Sequence, residues 1–207
     1  PGVYTTSFWA VDNDGTDSES VVIRVEPAPA PAGLMLNEIL VNPFGTDDNR
    51  EYVEIKGAPS RSLAGITLLE VEADNKSGVI DHALDLSALS LGTNGLLILG
   101  HGYTTNCPWT PPSATTKGDL GRPSAFMENG AITFLLVTGF TGAVSDDLDT
   151  DTDGILDVTP WAGLLDAVGW EDGAGDCVYS PARLTQSAGT PDAATRFRTN
   201  ALSPLAA

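Results

Sequence analysis

Between Asp146 and Asp157 the chain carries six carboxylates in twelve residues, and Asp147, Asp149, Asp151, Asp153 and Asp157 alternate with short or apolar residues. Alternate carboxylates let one segment wrap several hard oxygens around a single ion, and calcium takes about six to eight of them. Gly154 supplies the freedom of backbone for the sharp turn that such a wrap needs. Without a cation, so many like charges at this spacing repel one another.

The spacing Asp149-x-Asp151-x-Asp153-Gly154 matches the opening of a calcium loop of the EF-hand or thrombospondin-repeat type. Counted from Asp149, Asp157 falls at the ninth position and Pro160 at the twelfth, where an EF-hand places its bidentate glutamate. Helical patterns on either side are missing as well. The expectation is therefore a calcium-ordered loop outside the EF-hand class, with no catalytic role; the competing reading is a solvated acidic loop. Asp12-Asn13-Asp14-Gly15-Thr16-Asp17 is a shorter run of similar chemistry and reads as a hairpin turn, because Asp-Gly is a preferred turn pair.

Catalytic chemistry is poorly supplied. His82 and His101 have no second His or Cys at metal-ligand spacing, and His101 between Gly100 and Gly102 reads as a loop residue. Glu38, Glu51 and Glu54 are candidate carboxylates for glycoside chemistry, but Glu51 and Glu54 fall on opposite strand faces and make a poor pair, and the three read as surface or edge-strand charges. No nucleophile elbow, phosphate loop or metalloprotease motif is present, and the expectation is a protein that is not an enzyme. Cys107 and Cys177 either form a disulfide, worth about 4 kcal/mol across so long a loop, or remain two buried thiols. Trp109, on the proline-stiffened stretch Pro108 to Pro112, is either a recognition tip or a core cover. Arg183, Arg196 and Arg198 form the basic grouping, suited to pairing with the acidic loop or capping an edge strand.

These residues sit in a chain of 207 residues with 28 acidic and 10 basic side chains, a formal charge of −18. That balance opposes nucleic-acid binding, which relies on Lys and Arg, and opposes docking on anionic lipid. No apolar run approaches the roughly 18 residues of a membrane-spanning helix. From Pro123 to Ala182 there are eleven Asp or Glu and no Lys or Arg, a field suited to calcium or a basic partner.

The elements that position these groups read as strands. Val3–Val11 and Ser20–Val25 are rich in β-branched and aromatic residues and predict a hairpin within residues 1–26, followed by a Pro-Ala linker over 27–33. The register 34–207 then holds short apolar or alternating runs at 34–41, 51–56, 65–72, 95–99, 131–138 and 164–170. Within Glu51–Lys56 the alternation sets Val53 and Ile55 on one face and Tyr52 and Glu54 on the other. Asp81–Leu91 reads as a place for one short helical turn. Residues 102–123, rich in Thr, Pro and Ser, and 139–163, rich in acid, read as long loop insertions. The pattern predicts an all-β fold, an immunoglobulin-like antiparallel β-sandwich with an N-terminal β-hairpin.

From Leu36 onward the chain resembles the lamin tail domain of bacterial, secreted type. The resemblance lies in Leu36-Asn37-Glu38-Ile39, Glu51-Tyr52-Val53-Glu54-Ile55, Leu63-Ala64-Gly65-Ile66-Thr67-Leu68, Asn94 to Leu99 and Leu165 to Trp170, closing with Ala182-Arg183-Leu184, Arg196-Phe197 and Ser203-Pro204. The two long insertions exceed what that module requires. Gly2-Val3-Tyr4 and Val11 to Gly15 resemble the last hairpin of an immunoglobulin-like repeat of the polycystic-kidney-disease or cadherin kind. The resemblance implies a secreted or cell-surface binding module for adhesion or assembly, including extracellular filaments. Its partners would be proteins or further copies joined by strand donation through residues 1–26. The alternative is an accessory domain of a larger secreted nuclease or phosphatase.

Overall fold

The computed structural model describes residues 2–12, 15–25, 33–43, 50–101, 110–121, 127, 129–171, 173, 175–185 and 193–196. The chain divides into two compact units, Pro1–Ala30 and Pro31–Ala207. In the first, β1 (Gly2–Asp12) and β2 (Gly15–Val25) pair antiparallel without a register shift, from Gly2 opposite Val25 to Asp12 opposite Gly15. Strand β1 thus ends at Asp12 and β2 begins at Gly15, so Gly15, Thr16 and Asp17 of the expected turn lie in the strand; residues 13 and 14 lie outside the described residues.

The second unit is a β-sandwich of two five-stranded sheets. Sheet I is ordered β12 (Ala193–Thr195), β3 (Met35–Leu40), β4 (Tyr52–Lys56), β7 (Leu96–Gly100) and β8 (Thr116–Asp119). Sheet II is ordered β11 (Arg183–Thr185), β10 (Gly163–Glu171), β9 (Ile132–Thr138), β5 (Ile66–Glu72) and β6 (Ile80–Asp85). The central pairs are antiparallel, but the edge pairs β7–β8 and β10–β11 are parallel. The sheets are therefore mixed, a departure from the purely antiparallel expectation. A parallel partner needs a crossover of roughly a dozen residues or more, which the sequence separation from Gly100 to Thr116 and from Glu171 to Arg183 permits.

Two segments differ from their sequence reading. Ile80–Asp85 is strand β6 rather than the start of a helical turn, because its main chain completes the edge of sheet II against β5. The Thr-Pro-rich insertion also contributes strand β8 rather than loop alone.

The main core lies between the sheets. Leu36, Ile39, Val53, Ile55, Leu97 and Leu99 of sheet I meet Ile66, Leu68, Ile132, Phe134, Leu136 and Trp170 of sheet II. Each such side chain contributes about 1.5–3 kcal/mol by leaving water. Phe134 and Trp170 pack with ring centroids 5.6 Å apart. Alternation in β4 fulfils its pattern, with Val53 and Ile55 buried and Tyr52 and Glu54 half-buried.

Strands β5 and β9 break that alternation: both are buried along nearly their whole length. A strand covered on both faces reads as a continuous apolar run, which is how Ile132-Thr133-Phe134-Leu135-Leu136-Val137 reads. The second face carries its own cluster, Leu69, Val71, Ile80, Leu135, Val137 and Ala167, joined by Leu148 and Tyr179 with Phe140, Leu156 and Trp161 against them. Leu148, Leu156, Phe140 and Trp161 belong to the connection between β9 and β10. The acidic insertion is therefore a third layer over the outer face of sheet II.

Candidate metal centre

The acidic loop reaches the sheet by main-chain contacts before any carboxylate is placed. Asp147 bridges antiparallel to Val79. Ser145 N donates to Ile80 O, Ile80 N to Asp146 O, and Leu148 N to Gly78 O. Gly78 has φ +66°, and a Cβ there would stand 2.7 Å from Asp149 Cβ. Only glycine admits both that backbone and that approach. Leu148, fully buried, then pins the loop to the outer apolar cluster.

Asp149 follows directly and is fully buried. Its Oδ1 accepts from Asp153 N at 3.1 Å, and its Oδ2 accepts from Gly154 N at 2.8 Å and from the Tyr179 hydroxyl at 2.8 Å. Burial raises the Asp149 carboxyl, but the hydrogen bonds from Tyr179, Gly154 and Asp153 outweigh it and hold the group below the usual carboxylate range. Burial, and after it the hydrogen bond to Asp149, push the Tyr179 hydroxyl far up. Tyr179 is held in turn by its own N–H, which donates to Thr133 Oγ1 on β9 at 3.0 Å.

One carboxylate oxygen from each of Asp149, Asp151 and Asp153 lies within 4.8 Å of the other two. Asp151 and Asp153 are exposed. Asp153 N also donates to Asp151 Oδ1, and Ile155 N to Asp153 Oδ1, so each side chain is turned inward by the main chain two residues on. Asp147 and Asp157 are used otherwise. Asp147 Oδ1 accepts from Asp149 N, and Asp157 Oδ2 accepts from Thr150 N and Thr150 Oγ1. Three of the five expected carboxylates thus converge, and the other two shape the loop around them.

Cys177 approaches the same turn as a free thiol, donating from Sγ to Gly154 O at 3.3 Å. Cys107, its expected disulfide partner, lies outside the described residues, and so does Trp109. Tyr179 and Gly78 went unnoticed in the sequence as parts of this site. Leu148 and Leu156 amid the carboxylates were the available sign that the loop packs on the sheet.

One other expectation is corrected: Glu51 is buried rather than a surface or edge-strand charge. His101 lies in a bend just after β7, as its loop reading expects, and is buried there. His101 Nε2 lies 3.3 Å from Glu51 Oε2, because the β4–β7 pair Tyr52–Gly100 brings their neighbours together. Glu54 sits on the outer face of sheet I directly opposite Glu38. The Tyr52 hydroxyl donates to Glu38, and Asn37 Nδ2 donates to Glu54 Oε1 at 2.6 Å. Burial first, and the charge of Glu38 after it, raise the Glu54 carboxyl, while Asn37 and Lys56 lower it. Of the arginines, Arg183 pairs with Glu171 and Arg196 with Asp166; Arg198 lies outside the described residues.

Compared with protein-family models, curated proteins and solved structures, the chain matches none of them. Among the described residues no helix is long and apolar enough to cross a membrane.

Proposed function

We propose that the chain is a non-catalytic extracellular module that mediates assembly or surface attachment and carries a calcium-ordered loop. The observation behind this reading is the convergence of Asp149, Asp151 and Asp153 on a loop that is itself built into the sandwich. The donor set fits a hard cation. It comprises one carboxylate oxygen from each of these three residues, all within 4.8 Å of one another. Pro160 at the twelfth position offers no carboxylate, so the bidentate glutamate of an EF-hand has no counterpart here. Ion binding here neutralises a repulsive cluster and fixes the loop, which is a structural effect. The lamin-tail-like motif order and the hairpin-and-linker organisation support a module that joins other parts, including by strand donation through residues 1–26.

Thermal unfolding in calcium chloride against chelator tests the ion. The expected result is a rise in melting temperature of several degrees with calcium, lost in Asp151→Asn/Asp153→Asn. An unchanged melting temperature at saturating calcium rejects the site. Light scattering on the chain with and without residues 1–26 tests assembly. Multimers that need the hairpin are expected, and a monodisperse monomer in both samples rejects strand donation.

A further inference from the structure

Where the chain leaves β9, the outer face of sheet II holds a hollow of about 330 Å³, within the range of small-ligand sites, roughly 300–1,000 Å³. Thr67 and Asp85, directly opposite each other on β5 and β6, line it from the sheet. They share that face with the next pair, Leu69 and Ala83 of the outer apolar cluster. The rim is one continuous run. Ser87 Oγ accepts from Gly65 N at 3.1 Å, Gly65 O accepts from Gly139 N at 3.0 Å, and Phe140 follows, packed on the outer cluster.

The rim also fixes the charge in the hollow. The Ser87 hydroxyl, and after it the Ser87 N–H donating to Asp85 Oδ1 at 2.9 Å, hold the Asp85 carboxyl below the usual carboxylate range. The N–H groups of Gly65, Ser87 and Gly139 are thus spent within the rim. What remains for a ligand is the ionised Asp85 carboxylate, the Thr67 side chain and the Phe140 ring. Residues 62–75, 77–116 and 123–182, which supply the whole lining, contain no Lys or Arg. An anionic ligand meets its own sign here, and a neutral polyol finds few donors to match its oxygens. An ammonium group suits what is left: its hydrogens go to the carboxylate, its charge is drawn to an aromatic face, and its sign answers the charge of −18.

We propose that the hollow between Asp85 and Phe140 binds a primary ammonium group on a short aliphatic stem. A free amine and the lysine side chain of a partner protein both present that group. The hollow shares no residue with the metal centre and goes beyond the calcium reading.

Amide spectra of the isotope-labelled full chain, recorded in chelator, test this site. The probe is n-butylammonium chloride, and n-butanol is the uncharged control. The amides of Gly65, Ser87 and Gly139 should shift saturably with the amine and not with the alcohol, and the response should weaken as salt rises. Asp85→Asn, which keeps an oxygen for Ser87 N, should weaken binding about fivefold, and Phe140→Leu about threefold. The unfolding midpoint of each variant separates lost binding from lost folding. Nα-acetyl-lysine methylamide distinguishes the sources: equal or tighter binding than the amine assigns the hollow to a lysine side chain, and binding several times weaker assigns it to a free amine. No shift at the three amides, equal shifts with butanol, shifts confined to residues 146–157, or unchanged binding in Asp85→Asn would overturn the proposal. Calcium is absent throughout, so failure of the amine titration leaves the calcium-dependent melting shift to stand or fall by itself.

Discussion

Tyr179 donates its hydroxyl to Asp149 Oδ2 at 2.8 Å, both residues lying beneath the acidic loop. That bond joins a segment that follows β10 to one that precedes it, and both rest on β9. Tyr179→Phe removes the donor and keeps the ring, leaving a buried carboxylate one hydrogen bond short. The expected loss is about 1.5–3 kcal/mol at neutral pH, read from the urea midpoint at constant slope. A loss below a few tenths of a kcal/mol would show that the ring alone holds the loop.

Acid should act through the same carboxylate. The Asp149 pKa is depressed in the folded state, so its contribution is fully present above the unfolded value of about 3.9. It is lost as pH falls from there through the folded value, because the unfolded chain takes up the proton first. A melting-temperature profile from neutrality down to about pH 2.5 should fall more steeply in the wild type than in Tyr179→Phe. Parallel profiles would remove Asp149 from the acid response.

Glu54 predicts the opposite sign. Its pKa is raised in the folded state, so ionising it opposes folding, and the penalty disappears as pH falls through the raised value. Like charges directly opposite on neighbouring strands are destabilising by roughly 0.2–1 kcal/mol. Glu54→Gln retains an oxygen for Asn37 and removes the clash with Glu38. It should stabilise the fold by about 0.5 kcal/mol at neutral pH, with the difference closing in acid; destabilisation at neutral pH would mean that Lys56 outweighs Glu38.

Arg196 clasps the two sheets. Its Nη2 donates to both Asp166 oxygens, at 3.0 and 2.9 Å, and its Nε donates to Leu36 O at 3.1 Å, while Leu36 N donates to Asp166 Oδ2. Arg196→Lys retains the charge but cannot make both contacts. Arg196→Ala should cost about 1 kcal/mol and Arg196→Lys only slightly less. Full rescue by lysine would reduce the clasp to simple charge pairing.

Gly78→Ala should be among the more damaging turn substitutions, because Gly78 is buried. It combines a left-handed backbone with a Cβ 2.7 Å from Asp149 Cβ. The expected cost is about 2 kcal/mol, and calcium-dependent stabilisation should weaken with it, because the turn seats Leu148 and Asp149 together. A normal calcium response in this variant would separate the turn from the site.

The sheet skeleton was legible wherever the apolar pattern was long. The runs around Leu36, Val53, Leu68, Leu97, Leu135 and Trp170 all became strands. Ile80–Asp85 hid because its alternation is diluted by Asp81 and His82, and Thr116–Asp119 because nothing apolar marks it. Both are edge strands, defined by main-chain pairing that leaves little trace in side-chain type. The carboxylate spacing was legible for the same reason that it is chemically specific. Its supports were not, since Gly78 and Tyr179 meet Asp149 only after three distant segments converge. The Glu51–His101 contact likewise arises from strand pairing, which composition around either residue does not reveal.

The third layer over sheet II makes the acidic loop part of the cooperative unit rather than a fraying tip. Opening it would bare Leu135 and Val137 on the central strand β9, so its amides should exchange with deuterium only in openings that also disturb the sheet. Protection in residues 145–157 should therefore approach that of β9 itself. An ion held by Asp149, Asp151 and Asp153 would slow exchange in strands that touch none of those carboxylates.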